Sequence, residues 1–324
     1  MKAFQYVYPK TAESVPLVLG EYENPLLYAG GTDALARMKE GIDSPDQVIN
    51  IKSIKGLDYI KEDSEGLHIG AAALLSDIVN NKTAQQYGGL VQAIETVATQ
   101  QLRNMGTIGG NLCQRPRCWY FRSRHFNCVR KGGDVCFAIS GENKYHAILG
   151  GFPCYIVYPS DSAPMLITLG AQVEITGPDG KRRVPVEDFY VLPDQDTLHE
   201  NILKPNELVT EVFVPNSAKS VKSIYLKFRE RESFDFAMVS VAVTATVAGD
   251  TLKDVKIALG GVAPKPWRAL KAEAVLNGKS VTDDLLQKAG EAELADAEPL
   301  EQNEYKIPLT KNLLKRAVAQ LLSA

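Results

Sequence analysis

The chain has 324 residues, 45% of them apolar, enough for more than one buried core and, by length, for two or three domains. Its 36 basic and 39 acidic residues leave a formal charge of -3 and a pI near 5.9, so it has no global basic field and nucleic acid is excluded as a main partner. No segment approaches the ~20 apolar residues of a membrane span. The N-terminus, MKAFQYVYPKTAESVPLVLG, lacks the apolar run of a secretory signal.

Residues 1–55 carry two strand-like runs, PLLYAGG and DQVINI, around a helix-favouring segment from Asp33 to Glu40, which together predict a small βαβ-like unit. From LHIGAAALLSDI a strand passes into a helix, with Ser76 expected as its cap and Asp77 in its first turn. GGLVQAIETVATQQLRN repeats apolar residues at helical spacing. Strands are expected near CYIVYP and MLITLGAQVEITG, and Gly177 to Gly180 predict a hairpin turn. The polar stretch VLPDQDTLHENILKPNE, 191–207, reads as a linker. After it, ELVTEVFVP, SIYLKFRE, MVSVAVTATVAG and LKDVKIALGG predict antiparallel strands, and DDLLQKAGEAELA and TKNLLKRAVAQLLS amphipathic helices. The expected class is α+β in three parts: 1–55, 56–190 and 191–324.

LLYAGGTDALARM sets two glycines and a threonine between a strand and a helix, and GTIGGN forms a second such turn at 106–111. Glycine lets backbone N–H groups approach an anion, so two such loops could hold the two phosphates of one dinucleotide. Neither matches GxGxxG or GxxxxGK[ST], so the Rossmann fingerprint and the Walker loop are both absent.

YAGGTDAL, IGAAALLSDI, TIGGNLC and YPSDSAP, in this order, resemble the FAD-binding subunit of the molybdenum hydroxylases, the xanthine dehydrogenase and aldehyde oxidoreductase family. YLKFRERESFDFAMVSVAV and IALGGVAPKPWRA are similar to that family's C-terminal flavoprotein domain. The resemblance implies a two-part FAD-binding domain, then an antiparallel sheet with helices. It implies FAD held by Leu27, Tyr28, Ala29, Gly30, Gly31, Thr32, Asp33 and Ala34 and by Thr107, Ile108, Gly109, Gly110 and Asn111. By the same resemblance Asp161 holds ribityl or ribose hydroxyls, and Lys227 lies near the isoalloxazine ring. The residues alone leave Lys227 also readable as a solvated strand lysine.

The family's glycine loop and Ser-Asp motif usually lie close together, whereas here Asn111 and Asp161 are 50 positions apart. All five cysteines, Cys113, Cys118, Cys128, Cys136 and Cys154, fall in this insertion at about 113–155. No CxxC occurs, which argues against a zinc ribbon or finger. Gaps of nine, seven and seventeen residues separate Cys118, Cys128, Cys136 and Cys154, which suits a long loop folded around an iron–sulfur core. Cys113 adjoins the glycine loop and is expected as a buried spare. The resemblance agrees, because periplasmic-type aldehyde oxidoreductases and 4-hydroxybenzoyl-CoA reductases carry a 4Fe-4S cluster in such an insertion. Six basic and no acidic residues occupy Gln114 to Lys131, reading either as cluster counter-charge or as a solvated or partner-facing patch. His125 is a further possible ligand.

No GxSxG or HExxH motif occurs, and no histidine pairs with a nucleophile, so hydrolytic chemistry is not expected and no catalytic residue is assigned. The resemblance implies an oxidoreductase subunit that passes electrons between a partner's 2Fe-2S centres and an external acceptor, with molybdenum cofactor on a large subunit. Three alternatives stand beside it: a hydroxybenzoyl-CoA reductase subunit with inward electron flow, an FAD-free docking subunit with structural zinc, and a stand-alone flavoenzyme. Assembly in the cytoplasm is expected, with export only on a partner's signal.

Overall fold

The computed structural model describes residues 1–323. At the N-terminus three parallel strands pair, with Gln47–Asn50 between Gln5–Val7 and Pro25–Tyr28. Helix Ala34–Glu40 is the crossover, and it stops at Gly41, whose φ of 70° suits glycine. The βαβ unit is therefore present, with Gln5–Val7 as an additional edge strand.

The second sheet is antiparallel, in the order Ile60–Glu62, Gly66–Gly70, Leu208–Pro215, Gln172–Gly177, Gly180–Pro185. Gly177 pairs with Gly180 across the expected turn. Strand Leu208–Pro215, expected in the C-terminal sheet, is instead the centre of this one. It is buried on both faces from Leu208 to Val214, so its near-continuous apolar run gives no clue to its neighbours. The boundary expected at residue 191 therefore falls after Pro215, and 191–207 is a connection within the sheet.

Three local expectations also change. MLITL is not a strand but part of helix Ser162–Thr168, whose Pro164 sits in the first turn, where no N–H partner is required, and whose exit uses Gly170 at φ 70°. The helix is buried all round, so its sequence has no helical periodicity to read. CYIVYP, 154–159, is irregular. Ser76 is not a cap but lies inside helix Leu75–Asn80, which has no side-chain cap, with Asp77 in its first turn.

The C-terminal sheet runs Trp267–Arg268, Thr251–Gly260, Val239–Ala248, Lys222–Phe228. Its two faces differ in size. Tyr225, Ala242 and Ala258 join the core of the middle region, and the two alanines lie on the strands that helix Ser162–Thr168 packs against. Val241, Val243, Ile257 and Leu259 face helices Leu270–Leu276, Asp283–Glu293 and Lys306–Ser323. Among the described residues, no helix is long and apolar enough to cross a membrane.

The cysteine insertion has little regular structure beyond helix Trp119–Arg122 and the turn Val129–Lys131. It packs a core of its own from Val129, Cys136, Ala138, Cys154 and Ile156. Its far end is pinned by Lys306, which is fully buried and donates to the carbonyls of Tyr145 at 3.0 Å, His146 at 2.9 Å and Gly261 at 2.6 Å. Asn303 Nδ2 adds bonds to the His146 and Ala147 carbonyls at 3.1 and 3.2 Å. Lys306→Met is expected to leave buried carbonyls short of donors and to lower the unfolding free energy by about 2–3 kcal/mol. The check is a lower urea midpoint at unchanged m-value.

Candidate functional site: two glycine turns and four thiols

Leu27, Ala29, Gly30, Gly31, Thr32, Asp33 and Ala34 line a cavity of about 310 Å³ together with Thr107, Gly109, Gly110 and Asn111. The two turns meet because Gly30 has no side chain: a Cβ there would overlap the Met105 carbonyl. Gly31 holds φ 72° and packs under the Tyr28 ring. The backbone N–H groups of Gly30, Gly31, Thr32 and Asp33 donate to no acceptor among the described residues. Four consecutive free amides make a nest suited to an anion such as a pyrophosphate. In the second turn Thr107 caps helix Ile108–Leu112, accepting from the Gly110 N–H at 3.1 Å, and Asn111 Oδ1 accepts from Ser160 and Ser162 at 2.6 and 2.7 Å.

Two residues expected at this cavity do not line it. Tyr28 turns its ring behind the loop onto Gly31, and Ile108 points into the core of the middle region. Cys113 does line it, and burial pushes its thiol up to about 12.

Asp161 lines a second cavity, of about 350 Å³, which shares Arg117 and Phe236 with the first. Tyr225 and Lys227, two apart on strand Lys222–Phe228 and so on one face, both reach it: Tyr225 OH to Oδ1 and Lys227 Nζ to Oδ2, each at 2.8 Å. Burial raises the Asp161 carboxyl pKa, against the opposing pull of Lys227 and Tyr225. Lys227 itself lines neither cavity and spends its remaining reach on the Thr96 carbonyl at 3.1 Å. Lys227, expected near the isoalloxazine ring, thus turns its ammonium to Asp161 and the Thr96 carbonyl.

Asp33 is committed too. Its carboxylate takes Arg122 at 2.6 Å, Arg117 at 2.7 Å, Arg37 at 2.9 Å and the backbone N–H of Arg115 at 3.1 Å. Burial acts to raise its pKa, but the three guanidiniums hold it below the usual carboxylate value. Three of the four contacts come from the insertion, which is thereby fastened to the glycine turn.

Cys118, Cys128, Cys136 and Cys154 surround one small buried cavity. Backbone N–H groups are directed at each sulfur: Tyr120 and Phe121 at Cys118, Arg130 and Lys131 at Cys128, Ala138 and Tyr155 at Cys136, and Ile156 at Cys154. Burial pushes the Cys118 thiol up to about 11 and also raises Cys128. Cys154 is the thiol held down, by its hydrogen bond with Cys136 and by Arg130, against burial. Arg130 Nε lies 3.3 Å from Cys154 Sγ, and its Nη1 donates to Glu200 Oε1 at 2.8 Å. Among the described residues no three His, Cys, Asp or Glu side chains converge at single-ion spacing. The donor set is instead four soft sulfurs with amides at their backs, which fits an iron–sulfur cluster.

Two residues near the thiols differ from the sequence reading. His125 is exposed and does not line the cysteine cavity. His146, which carried no sequence signal, does line it, with Nε2 3.2 Å from Cys118 Sγ. Burial, with Lys306 close by, holds its imidazole down to about 4.

Two glycine turns presenting free amides to one cavity, on an α+β frame with a second antiparallel domain, form a site suited to a dinucleotide. Residues 2–217 match the family model for the FAD binding domain in molybdopterin dehydrogenase, and residues 224–321 match that for the CO dehydrogenase flavoprotein C-terminal domain. The chain belongs to this family of FAD-binding oxidoreductase subunits. It is 36% identical to the aldehyde oxidoreductase FAD-binding subunit PaoB of Escherichia coli (strain K12), over 99% of this chain and 98% of that one. It is 27% identical to the carbon monoxide dehydrogenase medium chain of Hydrogenophaga pseudoflava, over 97% and 96% of the two chains. A solved structure of carbon monoxide dehydrogenase from that organism superposes with a TM-score of 0.79, covering 99% of this chain and 97% of the other at 28% identity.

Gly30→Ala is expected to force the turns apart and leave the purified chain with little flavin, read as the ratio of absorbance at about 450 nm to protein. Asp33→Asn strands buried guanidiniums and is expected to lower stability at neutral pH by about 3 kcal/mol. Because the folded pKa of Asp33 is depressed, its contribution is complete above the ordinary carboxylate range and is lost as pH falls through the folded value. Urea titrations at several acidic pH values should therefore show wild type and Asp33→Asn converging in stability as pH drops.

Proposed function

We propose that this chain is the FAD- and 4Fe-4S-binding electron-transfer subunit of a molybdenum hydroxylase complex of the aldehyde oxidoreductase type. In that complex a large subunit carries the molybdenum cofactor and oxidises the substrate, and a small subunit carries 2Fe-2S centres. This chain exchanges electrons between those centres and an external acceptor, and substrate does not touch it. The observation that carries the reading is the set of four thiols around one cavity, three buried and Cys118 partly so, with backbone amides aimed at every sulfur. The 36% identity over nearly full length to a relative named as an aldehyde oxidoreductase FAD-binding subunit supports the complex type.

When bound, FAD supplies a two-electron store and the cluster a one-electron station. The chain's own residues do the rest. The free amides of Gly30 to Asp33 receive the pyrophosphate charge, and the turn Thr107–Asn111 closes the opposite wall of the same cavity. Asp161, fixed by Tyr225 and Lys227, offers an acceptor to a cofactor hydroxyl, so Lys227 acts as a positioning residue. Cys118, Cys128, Cys136 and Cys154 are the cluster ligands, and the seven amides steady the negative charge on their sulfurs. Trp119, half exposed, and Tyr120, at the cavity wall, keep bulk water from that charge.

The test is anaerobic purification with co-expressed partners, followed by the visible spectrum and by iron, zinc and acid-labile sulfide analysis of the separated subunit. The expected result is a flavin spectrum with about four irons and four sulfides per chain, as the cluster type requires. Cys128→Ser should lose the iron and keep the flavin. A yellow chain without iron would remove the cluster from this reading, and a colourless zinc protein would overturn it as a whole.

A further inference from the structure

Of the six basic residues in the run from Gln114 to Lys131, only Arg130 places a side-chain donor on a cysteine sulfur. Arg115, Arg117 and Arg122 point their guanidiniums to Glu200 or Asp33, and Lys131 Nζ bonds the carbonyls of Tyr120 and Ser123. Arg130 is almost fully buried, its side chain 1% exposed, and it cannot leave the sulfur without leaving Glu200, which is itself 5% exposed. Glu200 lies 70 positions away, in the connection between two strands of the middle sheet, so the guanidinium is held from outside the insertion. On the other side of the cavity His146 Nε2 lies 3.2 Å from Cys118 Sγ. The charged side chains beside the sulfurs are therefore concentrated at Cys154: a guanidinium with a carboxylate behind it.

We propose that Arg130 and Glu200 form a clamp that sets the reduction potential of the cluster held by Cys118, Cys128, Cys136 and Cys154, Arg130 raising it and Glu200 holding it down. The inference rests on the cluster reading above. Reduction adds one electron to a group that already carries negative charge, so a fixed cation beside a ligand sulfur favours the reduced state and a carboxylate opposes it. In a dry, low-dielectric setting neither effect is screened away by salt. Arg130 is a positioning residue in this role, because it acts through Cys154 and not on any substrate.

The test is a redox titration of the co-purified complex, with dithionite as reductant through soluble mediators, following the reduced cluster's EPR signal beside iron content. Arg130→Gln is expected to lower the midpoint potential, Arg130→Lys to restore most of the shift, and Glu200→Gln to raise it, all with wild-type iron content. Opposite signs for the two partners are what a merely structural pair would not give. If Arg130→Gln does not retain iron, Arg130→Lys and Glu200→Gln carry the test alone. Unchanged potentials in iron-loaded variants, or shifts of Arg130→Gln and Glu200→Gln in the same direction, would overturn the clamp while leaving the cluster in place. A wild-type subunit without iron would instead remove the reading on which the clamp depends.

Discussion

The insertion carries six cations and no acid between Gln114 and Lys131, yet Arg130 is buried and Arg115, Arg117 and Arg122 are partly buried, so their counter-charges have to come from elsewhere in the chain. Two carboxylates supply them. Asp33, at the first glycine turn, takes Arg117 and Arg122, and Glu200, in the connection after the middle hairpin, takes Arg115 and Arg130. An unpaired buried charge costs several kcal/mol, so the demand for neutrality fixes where the insertion docks. It docks against the wall that also bears the free amides of Gly30 to Asp33, and Cys118 reaches the lining of the neighbouring cavity that holds Asp161. Sequence charge thereby becomes site architecture.

The same logic appears at the other end of the insertion with hydrogen bonds in place of ion pairs. The segment through Tyr145 and His146 is irregular, so its buried carbonyls have no ladder partners. Lys306 and Asn303, at the start of the last helix, provide donors from the C-terminal domain. Lys306 also reaches the Gly261 carbonyl, joining the C-terminal sheet to the insertion at one atom. Burial holds the ammonium pKa down to about 7, which is the cost of using a lysine here. The benefit is that one side chain satisfies three carbonyls on two separate segments.

What could be read from the sequence follows from how local each requirement is. The glycine turns were legible because a residue without Cβ at a strand-to-helix junction has few other uses, and the hairpin at Gly177 to Gly180 for the same reason. The grouping of Cys118, Cys128, Cys136 and Cys154 was legible because cysteine is scarce in this chain and confined to one stretch. Strand Leu208–Pro215 was misplaced because a strand buried on both faces carries no sign of which sheet surrounds it. Helix Ser162–Thr168 was misread because complete burial erases the periodicity that distinguishes helix from strand. Nothing in the sequence pointed to Glu200 or His146: each acts on a cysteine site from tens of residues away, and a carboxylate in a polar linker looks solvated until the fold buries it. Lys227 and Asp161 were both named, but their pairing was not, since a strand lysine shows its charge in sequence and not the direction of its side chain.

These placements bear on how the thiol site depends on what fills it. Burial raises the Cys118 and Cys128 thiols, while Cys154, held down beside Arg130, is the one sulfur that shares that cation with Glu200. The partners of Arg115, Arg117 and Arg122 are the carboxylates of Asp33 and Glu200. The attachment of the insertion to the frame is accordingly built without any bound group, while its interior is not: the inner core is little more than Val129, Ala138 and Ile156 with the cysteines themselves. Four ligand bonds across that interior would cross-link segments that few apolar contacts hold. The frame therefore presents the thiols, and closing the loop around them is left to the cluster proposed to bind there.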